Sequence, residues 1–384
     1  MLHGERIRIE MENKTQQDTT GAKCGRGRIV FWGLVAVLWA LTLLWYVAGP
    51  ARETVEQMFT RGVYRWIVAI MTPITEPFPF SIALVMTIAV VVGFPLLWAA
   101  NWIYRRRVKH YSHWRGLFWG FKWAFALVPL LLVWFVAFWG AGYQRVQVEE
   151  RLHLDTAPIT NDEATRLRGL LLDVILRDLP PPEKRDPNRA LASISKAMEA
   201  IVAEWDGRPI TLPHRVKPMP PGFLMFNSTS GMCSPFTLEA QVDRGLPDTA
   251  YVSVGAHELG HIAGFCLEAE ATMIGYVAGQ RAEDPYARYA TALNAYTDLA
   301  SQLPKDEQKK AMDLLPETAR EDLKKAAEAH QKYRIQWFSR YSWRVYNKYL
   351  QAQGIKEGTK NYSRGITLFT YAWRKGLVNL PAKT

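Results

Sequence analysis

The stretch AHELGHIAGFCLEAEAT, residues 256–272, contains the spacing His-Glu-x-x-His between His257 and His261. Residues four apart lie on one face of a helix, so both imidazoles can bind one ion while Glu258 reaches a water molecule beside it. These donor types favour Zn²⁺, which takes three protein ligands and one water in catalytic sites. The spacing therefore predicts a site for one zinc ion, with Glu258 as the catalytic base.

A third ligand is expected among the two carboxylates that follow, Glu268 and Glu270. In an unbroken helix, Glu268 would lie about 10 Å further along the axis than His261 and could not reach the same ion. We therefore expect the helix to end at Gly264, because glycine suits the left-handed conformation of a C-terminal cap. A second helix would then return Glu268 to the histidines, and Glu270 is the alternative ligand.

Three uncharged or nearly uncharged apolar segments precede this site, at about 29–49, 80–104 and 117–140. Each has roughly the 20 residues that a helix needs to cross a bilayer. A cleaved signal peptide is the alternative for the first segment, but its length and the two later segments favour an uncleaved anchor. The chain is thus expected to comprise a tail (1–28), a membrane domain (29–143) and a distal domain (144–384).

Basic residues in short loops indicate the orientation of such a chain, because Lys and Arg accumulate on the cytoplasmic side of the membrane. The loop RRRVKHYSHWR, residues 105–115, is strongly basic, and the N-terminal tail carries six further Lys and Arg residues. Both regions are therefore expected in the cytoplasm. Three crossings would place the distal domain outside it.

The distal domain is expected to be mainly helical, with helices near 161–178, 191–205, 283–302 and 306–352. Two short segments, Phe236–Val242 and Ala250–Val254, have the composition of β-strands and are flanked by Gly and Pro. Between the first two spans, the segment 51–79 is too interrupted to cross a bilayer. It is expected to form a helix that lies against the outer leaflet or packs on the spans.

The formal net charge of +11 is consistent with contact between the protein and membrane lipids. No zinc-finger spacing or RNA-binding aromatic pattern accompanies the charge, so nucleic acid is not an expected partner. Three cysteines exclude a disulfide-rich scaffold. Cys233 and Cys266 could form one bridge in an oxidising compartment or remain two buried thiols.

Several segments together resemble a bacterial family of uncharacterised three-span membrane proteins with an HExxH motif, regarded as zinc peptidases of the gluzincin type. The matching segments are PFSIAL (79–84), FWGAGYQR (138–145), SPFTLEAQV (234–242), AHELGHIAGFCLEAEAT (256–272) and VYNKYLQAQGIKEGTKNYSRGITLFTYA (345–372). The resemblance covers nearly the whole chain. It implies a bacterial plasma-membrane protein of mainly α class, with three N-terminal transmembrane helices followed by a zincin-like α+β metallopeptidase domain with a small sheet.

The resemblance also implies roles for particular residues. In gluzincins the ligand glutamate commonly begins the pattern E-x-x-A-D or E-x-x-A-N, which Glu268, Ala271 and Thr272 match except at the last position. Thr272 would then supply a hydroxyl where the family has Asn or Asp. The segment Phe236–Val242 resembles the edge strand above the zinc, where an extended peptide adds. The residues expected to bind substrate there are Phe236, Thr237, Glu239 and Gln241.

These features lead to the expectation of a membrane-bound zinc-dependent endopeptidase that cleaves peptides or proteins near the membrane surface. The alternative is a catalytically inactive zinc-binding scaffold for envelope peptides. A transporter is disfavoured, because Lys122 and Asn101 are nearly the only polar residues within the spans. Candidate donors to the developing oxyanion are Tyr276, Tyr286, Tyr289 and Tyr362. No pattern specifies an oligomeric state.

Overall fold

The computed structural model describes residues 28–109, 113–355 and 364–380, and these residues are mainly helical. The first four helical runs are α1 (Arg28–Ala48), α2 (Arg52–Thr54, the π-helical Val55–Val63 and Tyr64–Thr75), α3 (Ile82–Ile88, the π-helical Ala89–Gly93 and Phe94–Lys109) and α4 (His113–Phe138). The later helices are α5 (Val148–Arg151), α6 (Asn161–Asp178), α7 (Pro187–Asp206), α8 (Asp248–Ile262), α9 (Glu268–Arg281), α10 (Pro285–Ser301), α11 (Lys305–Asp313), α12 (Glu317–Tyr333), α13 (Gln336–Ala352) and α14 (Gly365–Arg374).

Three helical stretches are long and apolar enough to cross a membrane, namely Arg28–Ala48, Ile82–Val108 and Gly116–Phe138. They coincide with the three spans predicted from the sequence. The described residues of 1–50 and 94–137 form one compact unit. Within it, the indole nitrogen of Trp39 on α1 donates to the carbonyl oxygen of Phe125 on α4 at 3.3 Å.

A second compact unit comprises residues 51–93 together with the described residues from 138 onward. The sequence alone suggested a boundary near residue 143 and placed 51–93 with the membrane spans. The difference arises because α2 and the start of α3 bond to the distal domain. The carboxylate of Glu239, for example, accepts hydrogen bonds from the backbone nitrogens of Ile82 and Ala83 at 3.0 and 2.8 Å.

Buried ion pairs fix α2 in this unit. The guanidinium of Arg145, which follows α4, donates to Glu56 of α2 at 2.7 Å and to Asp206 at the end of α7 at 2.9 Å. Arg65 of α2 and Arg151 of α5 also pair with Asp206. One face of α2 is therefore buried against the distal domain.

The opposite face of α2 is apolar and exposed. Trp66 is 73% exposed, and Met58, Val63, Ile70 and Ile74 are also exposed on this side. An exposed apolar stripe on a helix with a polar, buried opposite face is typical of a segment that contacts lipid or another apolar surface.

The predicted helices of the distal domain are confirmed, and local sequence explains where they begin. The Thr160 hydroxyl accepts from the Glu163 nitrogen while the Glu163 carboxylate accepts from the Thr160 nitrogen, which forms a capping box at the start of α6. Asp186 and Asp284 cap α7 and α10, each followed by proline at the first helical position. The predicted stretch 306–352 is divided into α11, α12 and α13.

The sheet has three short strands, β1 (Lys217–Met219), β2 (Gly231–Cys233) and β3 (Ala240–Asp243). Their order is β1-β3-β2, with β1 parallel and β2 antiparallel to β3. The prediction of an edge strand at Phe236–Val242 is therefore wrong. Only its second half is a strand, and that strand is central.

The prediction of a strand at Ala250–Val254 is also wrong, because these residues lie inside α8. Their β-branched and aromatic side chains favour a strand only weakly, and tertiary context overrides such preferences. Helix α8 begins directly after Pro247, with Asp248 in its first turn, and continues without a break through the two histidines. The HExxH motif thus occupies the last two turns of a 15-residue helix.

The variant Asp206→Asn tests the buried ion network, since it leaves three arginines around a neutral amide. Removing one partner of a buried ion pair costs about 3–5 kcal/mol, so we expect a clear fall in the melting temperature measured in detergent. The control is Glu204→Gln, two positions earlier, which removes an ion pair whose carboxylate is 52% exposed. It should lower the melting temperature far less. Equal melting temperatures for the two variants would refute a stabilising role of the network.

Candidate metal centre

The chain reverses between α8 and α9 at the glycine that the sequence singled out. Gly264 has a φ of +93°, which glycine adopts readily and other residues do not. The backbone nitrogen of Gly264 donates to the carbonyl oxygen of His261 at 3.0 Å, and that of Phe265 donates to Gly260 at 3.1 Å. Helix α9 then begins at Glu268, so this carboxylate stands in the first turn of a helix that returns along α8.

This reversal brings three candidate ligands together. The Nε2 atoms of His257 and His261 lie 3.1 and 3.3 Å from the Oε2 atom of Glu268. The ligand atoms of all three residues lie within 4.8 Å of one another. His261 and Glu268 are buried, and the side chain of His257 is 18% exposed. The predicted third ligand, Glu268, is therefore placed beside both histidines.

The remaining polar atom of each candidate ligand is also bonded. The Nδ1 atom of His261 donates to the carbonyl oxygen of Phe265 at 2.8 Å, and that of His257 lies 3.0 Å from the Thr272 hydroxyl. The other oxygen of Glu268, Oε1, accepts from the Tyr346 hydroxyl at 2.5 Å. Such partners restrict the orientation of the rings and of the carboxylate, while both Nε2 atoms face the Glu268 Oε2 atom.

Tyr346 was missed by the sequence reasoning, which considered four other tyrosines. Tyr346 lies in the segment VYNKYL of α13, which is part of the family-like segment 345–372. That resemblance was the only sequence feature that could have indicated this residue. Of the four, Tyr362 lies outside the described residues. Tyr286 and Tyr289 bond to Thr249 and Asp322, away from the histidines.

The catalytic base predicted from the sequence, Glu258, is 5% exposed. Burial raises its pKa to about 7, although the nearby His257 and His261 oppose this shift. Strand β2 passes directly over it, since a Cβ atom on Gly231 would lie 2.6 Å from the Glu258 Oε1 atom. Glycine at this position therefore allows the backbone of β2 to approach the base closely.

The charges of the candidate ligands are complementary. Burial disfavours the ionised forms of both Glu268 and His261. The imidazoles of His261 and His257 nevertheless hold the pKa of Glu268 well below its usual range. Glu268 in turn raises the pKa of His261 to about 9 despite burial of the imidazole. Glu268 is thus ionised at neutral pH and can serve as an anionic ligand.

A cavity of about 510 Å³ opens beside these residues. Ser228, Thr229, Ser230 and Gly231, which lead into and begin β2, line one side. The other described lining residues are Ser253, Val254, His257, Glu258, Thr272, Gly275, Tyr276, Asn294, Asp298, Ser301, Gln302, Trp343 and Ile366. Its volume lies in the range of small-molecule and peptide subsites.

The predicted substrate-binding residues are not among the described residues that line this cavity. The Thr237 hydroxyl and the Glu239 carboxylate bond to each other at 2.8 Å, and Glu239 also binds the first turn of α3. The Gln241 amide donates to the Ser81 hydroxyl at 2.8 Å, while Phe236 lies in the turn before β3. The segment thus connects the sheet to the start of α3.

The alternative ligand Glu270 also bonds elsewhere. Its Oε1 atom accepts from the backbone nitrogen of Val148 at 2.8 Å, and burial raises its pKa to about 7. The two cysteines of the distal domain, Cys233 and Cys266, are free thiols. The structure therefore places Glu268, and not Glu270, with the histidines, and it contains no Cys233–Cys266 bridge.

The C-terminal end of α8 is held by groups from elsewhere in its unit. The Tyr64 hydroxyl of α2 donates to the carbonyl oxygen of Ile262 at 2.9 Å. The indole nitrogen of Trp139 lies 3.5 Å from the carbonyl oxygen of His261. Arg145 donates to the carbonyl oxygen of Gly264 at 3.2 Å. The bond from Tyr64 satisfies a carbonyl at the helix end, and the other two hold the turn that follows.

The donor set fits a zinc ion. Two imidazole nitrogens and one carboxylate oxygen are the protein ligands of one class of catalytic zinc site. The three candidate ligand atoms lie within 4.8 Å of one another, so one ion could contact all of them.

The chain matches one protein family, but no curated protein or solved structure. Residues 59–370 match the family described as protein of unknown function (DUF3810). No curated protein and no solved structure matches the chain significantly.

Two glutamine variants distinguish the roles of the neighbouring carboxylates. If Glu268 is a ligand, Glu268→Gln should retain much less than one zinc per chain after purification, because a neutral amide replaces the anionic donor. Glu270→Gln, its matched control, should retain about as much zinc as the wild type. Metal content is measured by mass spectrometry on protein equilibrated with zinc and then desalted. Equal zinc retention by both variants would exclude Glu268 as a ligand.

Proposed function

The chain belongs to the DUF3810 family of proteins of unknown function, and we propose that it is a membrane-bound zinc-dependent endopeptidase. One observation carries the proposal: Glu258 lines the same cavity as His257, beside the cluster of His257, His261 and Glu268. A purely structural zinc site has four protein ligands and no need of a base. Three candidate ligands with a buried glutamate next to them suit hydrolysis instead.

The mechanism assigns each residue a task. His257, His261 and Glu268 would hold one zinc ion, which when bound lowers the pKa of water and polarises the scissile carbonyl. Glu258 accepts a proton from the attacking water and passes it to the leaving amine.

Thr272, the Phe265 carbonyl and Tyr346 act on the ligands rather than on the substrate. Each accepts from or donates to the atom of a ligand that does not face the cluster. Loss of one of these bonds would free a ring or carboxylate to rotate, and such changes typically weaken metal binding by about 10- to 100-fold.

Strand β2 is the better candidate for binding an extended substrate than the segment Phe236–Val242. It pairs with β3 on one side, and no other strand of the described chain pairs with it. Its first residue, Gly231, lies over Glu258. A peptide added to this edge would pass the base, with backbone hydrogen bonds providing affinity for many sequences.

The proposal includes a position outside the cytoplasm and near the membrane. Three candidate membrane helices and basic regions at the N-terminus and at 105–115 support this orientation. The exposed apolar face of α2 supports a position close to lipid, and Tyr64 on α2 bonds directly to the end of the histidine helix. Peptides and proteins near the bilayer surface are therefore the proposed substrates.

The variant Glu258→Gln tests catalysis. Because the amide cannot accept the proton, we expect cleavage of a peptide library to slow by about 10²- to 10⁴-fold while zinc content is unchanged. Detergent-purified wild type and variant are compared after loading with one zinc per chain.

Two results of this comparison would count against an enzyme. Cleavage at equal rates would point to a contaminating peptidase, and zinc retention without cleavage by the wild type would favour the inactive scaffold for envelope peptides. Glu270→Gln serves as control, since it changes a buried glutamate that lies outside the cluster.

Orientation is tested with reporters fused after Thr384. Alkaline phosphatase, which is active only outside the cytoplasm, should give activity, and green fluorescent protein exported through the general secretory route should not fluoresce. The opposite pattern would place the metal centre in the cytoplasm. Replacing the arginines of residues 105–107 with neutral residues should weaken the orientation preference.

A further inference from the structure

The cavity beside the metal cluster has an unusual charge for this protein. The whole chain carries a net charge of +11, yet no Lys or Arg is among the described residues that line the cavity. Among these described residues, the carboxylates are Glu258 and Asp298, and the one histidine is His257. Glu258 and His257 belong to the proposed reaction centre. Asp298 is therefore the charged residue among them that has no role in the proposed reaction.

Two neighbouring side chains hold Asp298 in place. The Tyr276 hydroxyl of α9 donates to the Asp298 Oδ2 atom at 2.5 Å, and the Asn294 amide donates to the same hydroxyl at 2.7 Å. Asn294 and Asp298 are one turn apart on α10, and all three residues line the cavity. The carboxylate is thus positioned by a short chain of hydrogen bonds.

Several other poorly exposed aspartates of this unit are held by arginine or, in the case of Asp243, by backbone N–H groups. Four of these aspartates pair with arginine, namely Asp178, Asp206, Asp284 and Asp322. Within the described residues, Asp298 forms no ion pair, and its second oxygen, Oδ1, accepts no side-chain or backbone hydrogen bond. Burial raises the pKa of Asp298, although the hydrogen bond from Tyr276 and the nearby His257 oppose this shift.

A carboxylate that is partly removed from water and has an unused oxygen binds a cation favourably, because the cation offsets the cost of desolvation. We propose that Asp298 is a specificity-determining residue, which binds a positively charged group of the substrate in the cavity beside the metal cluster. The group is an ammonium or guanidinium, and it comes from a Lys or Arg side chain near the scissile bond or from the amino terminus of a peptide. This assignment rests on the proposed peptidase function.

The test uses a peptide that the zinc-loaded wild type cleaves, in which each of the three residues on either side of the cleaved bond is replaced in turn by Lys, norleucine or Glu. Norleucine matches the length of lysine without its charge. Every peptide is made with a free and with an acetylated amino terminus, which separates the two sources of the cation. The measured quantity is the ratio of kcat/KM for each charged peptide to that of its uncharged match.

At one position, or at the free amino terminus, we expect the wild type to prefer the cation by at least about 10-fold, as for hydrogen bonds to charged groups. Asp298→Asn should reduce this ratio to near one. Asp298→Glu, which keeps the charge, should retain part of the preference, and Asp306→Asn, an exposed site on α11, should retain all of it. A wild type without preference at any position, or an Asp298→Asn variant that keeps it, would overturn the proposal.

A binding measurement separates this proposal from the peptidase function. The same peptides, labelled with a fluorophore, are titrated against zinc-loaded Glu258→Gln with and without Asp298→Asn, and anisotropy is recorded. Absence of cleavage by the wild type together with an Asp298-dependent preference for cationic peptides would refute the peptidase and retain the cation site. Cleavage by the wild type without any preference for cationic peptides would support the peptidase and refute the cation site.

Discussion

A single buried guanidinium, that of Arg145, connects the parts of the distal unit on which the candidate metal centre depends. It pairs with Glu56 on α2 and Asp206 at the end of α7, and it donates to the carbonyl oxygen of Gly264 in the turn between α8 and α9. Arginine suits this position because its planar fork can bond in several directions at once and stays charged when buried. The turn that returns Glu268 to the histidines is therefore fixed from outside α8 and α9.

Contacts from several elements also hold the candidate metal ligands in place. Each candidate ligand is held by one further bond, from Thr272, Phe265 or Tyr346, and these partners come from α9, the turn and α13. Because three different elements contribute, the cluster requires the whole distal unit to be folded. Side chains that are already held in place would lose less conformational entropy if they bound an ion.

Local sequence gave reliable predictions wherever short-range physics decides the structure. The three spans follow from uninterrupted apolar runs, the start of α6 follows from its capping box, and the break at Gly264 follows from the reach that Glu268 needs. The strands were predicted poorly. Ala250–Val254 has strand-like composition, but the helix that continues from it through His261 is longer and more cooperative, so the whole stretch is helical.

The sequence by itself determined the three apolar spans, the helical spacing of His257 and His261 with Glu258 between them, and the need for a chain break before Glu268. These features depend on residues near one another in the chain. Only the tertiary structure decided that β2 lies over Glu258, that Tyr346 bonds to Glu268 from 78 residues away, and that Asp298 stands in the cavity. Such contacts arise from the packing of helices and strands that are far apart in the chain. The periodicity of a single sequence does not indicate which distant segments come into contact.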